Sequence, residues 1–131
     1  TAHAIELTKL AKEAGADAAL HVPPYYNRPN QDGIYAHLSA VAELDIPVIL
    51  YNVPSRTITD ISVETMAKLS RLPNVVGVKD ATGNLARVSA QRLACGDRQI
   101  DLLLRARARS HHCGSDRVGD RRCDSMHRVP P

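Results

Sequence analysis

The sequence predicts a parallel α/β fold, and two observations carry that prediction. Three short stretches, apolar throughout, begin near residues 18, 47 and 75, a spacing of 28 or 29 residues. Each is followed by a stretch in which apolar residues recur at helical spacing. Strands buried on both faces read as continuous apolar runs, the pattern of parallel sheets covered by helices. A repeated βα unit builds either a doubly wound sheet or a (β/α)8 barrel. A barrel takes about 250 residues, so three units would be under half of one. No glycine-rich phosphate loop follows any of the strands, as it would in a dinucleotide-binding sheet. The periodicity alone leaves both architectures open.

The elements follow in order. Ile5, Leu7, Leu10, Ala11 and Ala14 recur at helical spacing, and Gly15 suits a C-terminal cap. Ala18-Ala19-Leu20-His21-Val22 reads as a strand ended by Pro23-Pro24. A second helix is expected from about Gln31 to Glu43, with Ile34, Leu38, Val41 and Ala42 on one face. Pro47-Val48-Ile49-Leu50-Tyr51 reads as a buried strand ended by Asn52-Val53-Pro54. Thr59 or Asp60 is expected to cap a third helix running through Leu69. Asn74 to Lys79 is the third strand, and Asn84 opens a fourth helix reaching about Ala94.

The chain has 131 residues, 44% hydrophobic and 24% charged, the balance of a globular protein rather than a disordered one. Its longest apolar run, Ile46 to Tyr51, is far short of the roughly 18 residues of a membrane span, so no membrane partner is expected. The start lacks Met, a basic n-region and an apolar h-region, which reads as a piece missing its front end and not addressed for secretion. A cytoplasmic location is expected.

Charge divides the chain. Residues 1–94 hold nine Lys and Arg against nine Asp and Glu, whereas residues 95–131 hold eight Arg against five Asp, with no Lys or Glu. The net charge of +3 therefore lies wholly in the tail, together with all three cysteines.

In either architecture functional groups gather at the carboxyl ends of the strands. Three unusual segments sit there: Pro23-Pro24-Tyr25-Tyr26-Asn27-Arg28-Pro29, Tyr51-Asn52-Val53-Pro54-Ser55-Arg56 and Gly77-Val78-Lys79-Asp80-Ala81-Thr82-Gly83. They hold three of the four aromatic residues of the chain. Lys79 ends an apolar strand, and desolvation there favours the neutral amine that attacks a carbonyl.

The motifs PYYNRP, YNVPSRT and GVKDATGNL, in this order and spacing, resemble those of the dihydrodipicolinate synthases, in the pyruvate-dependent Schiff-base aldolase superfamily. The resemblance covers residues 1 to about 97. It implies an incomplete (β/α)8 TIM barrel of about three βα units, the fourth to sixth strands of the family, as a domain at 1–97 followed by a divergent tail at 98–131. It implies a lyase that condenses pyruvate with L-aspartate 4-semialdehyde in lysine and diaminopimelate biosynthesis, with no metal and no organic cofactor. Lys79 matches the Schiff-base lysine. Tyr51 matches a proton-relay tyrosine, and Tyr26 a second one that reaches across a tight-dimer interface. Arg56 matches the arginine that holds the carboxylate of the semialdehyde, a task suited to a bidentate guanidinium. Tyr25 matches a tyrosine of the lysine feedback site, but His3 stands where many bacterial members have Glu. A homotetramer of tight dimers is implied for the full-length parent. Within the superfamily, N-acetylneuraminate lyase shares the lysine and the Tyr-Asn-x-Pro turn. It usually lacks both the arginine matching Arg56 and the Asn-Arg-Pro following the aromatic pair, which favours the synthase; a keto-deoxy-sugar acid aldolase is a third reading. From a different class, a non-catalytic α/β fragment acting as an interaction module is the alternative, and little activity is expected of these 131 residues alone.

After Asp97 the resemblance ends, apart from Ile100-Asp101-Leu102-Leu103-Leu104, which reads as the remnant of a seventh strand. The Arg-rich, Lys-free composition beyond it suggests out-of-frame reading of GC-rich DNA, or disorder. Acidic residues interleave with the arginines and no aromatics accompany them, so no nucleic-acid partner is expected. His111, His112, Cys113, Cys123 and His127 lack metal-ligand spacing, and no metal site is expected.

Overall fold

The computed structural model describes residues 1–96 and the backbone of residues 101–104. Its elements alternate along the chain: α1 (Ala2–Glu13), β1 (Ala19–His21), α2 (Gln31–Ala42), β2 (Val48–Asn52), α3 (Pro54–Thr57), α4 (Val63–Leu69), β3 (Val75–Asp80), α5 (Ala86–Cys95) and β4 (Asp101–Leu104). The four strands pair in chain order, all parallel. The strand expected at 100–104 is present as β4, with Gly77 to Asp80 of β3 in register with Asp101 to Leu104. The rest of the tail lies outside the described residues, as do the expectations placed on it.

The sheet has one covered face. Along β2 the buried residues are Val48, Leu50 and Asn52, while the intervening Ile49 and Tyr51 are half-buried, the period-2 alternation of a strand. Val48 and Leu50 join Val75 and Val78 of β3, Ile34, Leu38, Val41 and Ala42 of α2, and Met66 and Leu69 of α4 in a single core. Burying side chains of this size contributes roughly 1.5–3 kcal/mol each. The opposite face carries Leu20, half exposed, with Ile49, Tyr51 and Lys79. In a closed barrel this is the face that turns inward.

Local chemistry sets the helix ends. Asn30 caps α2 by accepting the Gly33 N–H at 2.9 Å. The C-cap of α1 is Ala14, and Gly15 follows it in the left-handed region, φ +89°. Asn84 draws in the start of α5 by accepting the Ala86 N–H at 3.1 Å. The cap of α4 differs from expectation. Ser62, not Thr59 or Asp60, accepts the Thr65 N–H, at 3.2 Å. A short helix, α3, first occupies Pro54–Thr57 and ends at Ile58 in the left-handed region, φ +64°. The Asp60 carboxylate is engaged by Asn52 and Arg87, and Ile61 is fully buried in the core, so the chain cannot turn into helix before Ser62. Gln31 pins this passage from α2: its amide donates to the Asp60 carbonyl at 2.8 Å and accepts the Ser62 N–H at 3.0 Å.

Candidate active site

Parallel pairing of β2 with β3 sets Tyr51 directly against Lys79, and Asn52 against Asp80. Successive side chains leave a strand on opposite faces, so the first pair lies on the uncovered face and the second under the helices. The Lys79 amine stands over the Tyr51 ring, 4.4 Å from its centroid. The ring face attracts a cation, by about 0.5–2 kcal/mol depending on desolvation. Both residues are half-buried.

The remaining sequence-derived candidates are placed around this pair. Arg56 lies on α3, immediately after β2, and is exposed. Tyr25 and Tyr26 lie between β1 and α2, 65% and 94% exposed. All follow the carboxyl ends of strands, as expected. Among the described residues, the side chains of Arg56, Tyr25 and Tyr26 make no hydrogen bond or ion pair with one another or with Lys79. Of these candidates, Tyr51 and Lys79 are brought together, by the ring contact.

Behind the pair is a polar cluster that motif reading did not single out. Asp80, almost fully buried, accepts five hydrogen bonds. Its Oδ1 takes the Thr82 N–H at 2.9 Å and the Thr82 hydroxyl at 2.6 Å. Its Oδ2 takes the Gln91 amide at 2.7 Å, Arg87 Nε at 3.3 Å and the Asn52 amide at 3.5 Å. Burial pushes this carboxyl up, but the hydrogen bonds from Thr82, Gln91 and Asn52 outweigh it and hold the group below its ordinary value. Arg87 reaches on to Asp60 Oδ2 at 2.9 Å and to the Ile61 carbonyl at 2.8 Å. Asn52 closes the ring by donating to Asp60 Oδ1 at 2.7 Å and accepting the Ile61 N–H at 3.0 Å. The sequence does carry a signal for part of this: Arg87 and Gln91 are four residues apart and share one face of α5. Among the described residues, no group of three or more His, Cys, Asp and Glu is arranged to hold a metal ion, and no helix is long and apolar enough to cross a membrane.

Residues 1–102 match the model of the Dihydrodipicolinate synthetase family. The chain belongs to this family. It is 63% identical over 97 residues to the 4-hydroxy-tetrahydrodipicolinate synthase of Parvibaculum lavamentivorans, covering 73% of this chain and 33% of that one. Among solved structures, the dihydrodipicolinate synthase of Acinetobacter baumannii, chloride-inhibited and complexed with pyruvate, is 50% identical with a TM-score of 0.72 over 76% of this chain and 34% of its own. That of Cyanidioschyzon merolae with lysine bound is 44% identical with a TM-score of 0.67, covering 70% and 32%. The chain thus spans about a third of the length of its dihydrodipicolinate synthase relatives. Its parallel α/β sheet is part of the TIM barrel of the family, which resolves the two architectures left open by the periodicity.

Proposed function

We propose that this chain carries the Schiff-base centre of a 4-hydroxy-tetrahydrodipicolinate synthase, a lyase that condenses pyruvate with L-aspartate 4-semialdehyde. The observation that carries the reading is the contact of Lys79 with Tyr51 on the open face of β2 and β3. The A. baumannii relative, half identical to this chain over the shared region, is complexed with pyruvate.

The chemistry suits the pair. The Lys79 amine adds to the C2 carbonyl of pyruvate, and loss of water gives a cationic imine. The ring face of Tyr51 stabilises that cation as it does the ammonium. The imine is an electron sink, so a methyl proton is lost and the resulting enamine attacks the aldehyde carbon of the second substrate. Each proton movement calls for a hydroxyl close to the lysine, the role assigned to Tyr51 and, from a neighbouring copy, to Tyr26. The near-complete exposure of Tyr26 is compatible with insertion into a partner. Arg56, exposed on α3, is assigned to the semialdehyde carboxylate. Tyr25 is assigned to an effector site for lysine, a ligand that the C. merolae relative holds. In the barrel of the family, β1, β2 and β3 are assigned as its fourth, fifth and sixth strands.

Borohydride reduction in the presence of pyruvate is the test. A reduced adduct is expected on Lys79 and not on Lys9, Lys12 or Lys68, located by peptide mass mapping of folded protein. An unlabelled Lys79, or equal labelling of the Lys79→Ala variant, overturns the assignment. Consumption of N-acetylneuraminate in place of aspartate semialdehyde by the full-length barrel would transfer the reading to the neuraminate lyases.

A further inference from the structure

The Tyr51–Lys79 pair depends on β2 and β3 keeping one register, because a slip of one residue turns one of the two side chains to the other face. The ladder itself is irregular at its start: Val48 pairs with Val75 but Ile49 pairs with Gly77, a shift between consecutive residues. At the other end, one position beyond the pair, the register is pinned by side chains. Asn52 on β2 and Asp80 on β3 are hydrogen-bonded to each other; Asn52 is tied to Asp60, Asp80 to Arg87, and Arg87 to Asp60. Arg87 alone bridges three points with three different nitrogens: Nε to Asp80, Nη1 to Asp60 and Nη2 to the Ile61 carbonyl. Its side chain comes from α5, beneath the sheet, and is itself mostly buried.

We infer that Arg87, acting through Asp80 and Asp60, is a positioning residue that holds Lys79 over Tyr51 from the opposite side of the sheet. The consequence for catalysis rests on the Schiff-base reading of Lys79; the positioning itself does not. A guanidinium is needed because its planar fork serves several acceptors at once, whereas an ammonium supplies the charge but not the geometry. Arg87→Lys therefore keeps a cation beside Asp80 and loses the bridge. Gln91→Leu is the companion variant. It removes one donor from Asp80 and also the buried Gln91 Oε1, which lacks a hydrogen-bond partner among the described residues, so it leaves no charge unpaired.

The experiment reads the lysine directly. The chain has only four lysines, so ε-13C-lysine gives four resolvable methylene signals in the full 131-residue protein. The signal that disappears in Lys79→Arg is that of Lys79, and the ring of Tyr51 should displace it upfield from the other three. In Arg87→Lys, the displacement is expected to collapse toward the exposed lysines while the amide spectrum stays folded. Ile34→Val, a trimming of the core away from the cluster, is expected to lower stability and leave the Lys79 signal in place. An unmoved Lys79 signal in folded Arg87→Lys overturns the inference, and if that variant does not fold, an unmoved signal in Gln91→Leu does so. Borohydride trapping with pyruvate is the second arm: the rate of Lys79 labelling, normalised to folded protein, is expected to fall roughly ten- to a hundredfold in Arg87→Lys, the effect of a misplacement on the order of 1 Å. Failure of the unaltered protein to label sinks the Schiff-base reading, and the methylene signal still decides the positioning.

Discussion

Lys79 and Tyr51 are paired residues of adjacent parallel strands, and the lysine amine lies 4.4 Å from the centre of the tyrosine ring. The ring and the hydroxyl of Tyr51 therefore make separable contributions. Tyr51→Phe keeps the face that attracts a cation and removes only the group that can exchange protons. Labelling of Lys79 by pyruvate and borohydride is expected to slow about 10²-fold, the usual scale of a lost general acid or base. The Lys79 methylene signal should stay displaced. Labelling at the unaltered rate would remove Tyr51 from the proton relay.

Two ion pairs of this chain should differ sharply in worth. Lys12 and Asp45 meet at 3.0 Å on the surface, where screening and side-chain entropy leave about 0–1 kcal/mol. Asp80 is instead nearly buried, and Arg87→Met would leave its charge without the guanidinium, at a cost of about 3 kcal/mol. Urea unfolding of Arg87→Met and Lys12→Ala checks the contrast. Equal midpoints for the two would show that the remaining donors to Asp80 suffice.

Ile58 is a β-branched residue at φ +64°, at the end of the helix that carries Arg56. The left-handed region costs a residue with a Cβ roughly 1–2 kcal/mol. Ile58 is largely exposed, so glycine forfeits little packing there. Against this stands the greater freedom of glycine in the unfolded chain, about 0.5–1 kcal/mol. Ile58→Gly is expected to raise stability by about 0.5–1 kcal/mol in thermal or urea unfolding. A loss of stability would mean that the isoleucine packs more usefully than its exposure indicates.

The strands, the four longer helices and the face of α2 that enters the core were legible from apolar spacing. The buried faces of α1 and α5 were not, because Leu7, Leu10 and Leu93 lie exposed while α1 buries Thr8 and α5 buries Gln91. Lys79, Tyr51 and Arg56 were legible as motif residues at strand ends. What pattern alone could not supply is contact between segments distant in sequence. Asp60 reads locally as a helix cap, and only the approach of Asn52 and Arg87 in three dimensions gives it other work. Asp80 likewise sits beside the conspicuous Lys79, yet three of its partners come from other elements, Asn52 on β2 and Arg87 and Gln91 on α5. The short helix α3 was missed for a related reason. Its four residues carry no periodicity, and its end depends on an isoleucine in a conformation that sequence rules assign to glycine.

Acid should destabilise the fold in two steps, for opposite kinds of group. Burial lowers His21 and His37 below their ordinary 6.5, and for His37 the positive charges of the Thr1 amino group and of His21 act in the same direction. The Thr8 hydroxyl gives its one proton to the Ala4 carbonyl at 2.7 Å, so His21 Nε2, 3.1 Å away, is the donor to Thr8. Below about pH 6.5 the unfolded chain takes up protons that the folded one refuses, so stability present above that pH declines as the pH falls. Asp80 acts lower down. Its folded value lies beneath the ordinary 3.8, so its contribution is full above that value and is lost as the pH drops through the lowered one. Glu64, held low by hydrogen bonds from its own backbone N–H and from Ser62, acts in the same direction as Asp80. Urea midpoints at pH 7.5, 5.5 and 3 are expected to fall in that order. His21→Gln together with His37→Gln should flatten the first decline and leave the second. A midpoint that holds steady between pH 7.5 and 5.5 in the unaltered chain would show that both histidines accept protons in the folded state as readily as in the unfolded one.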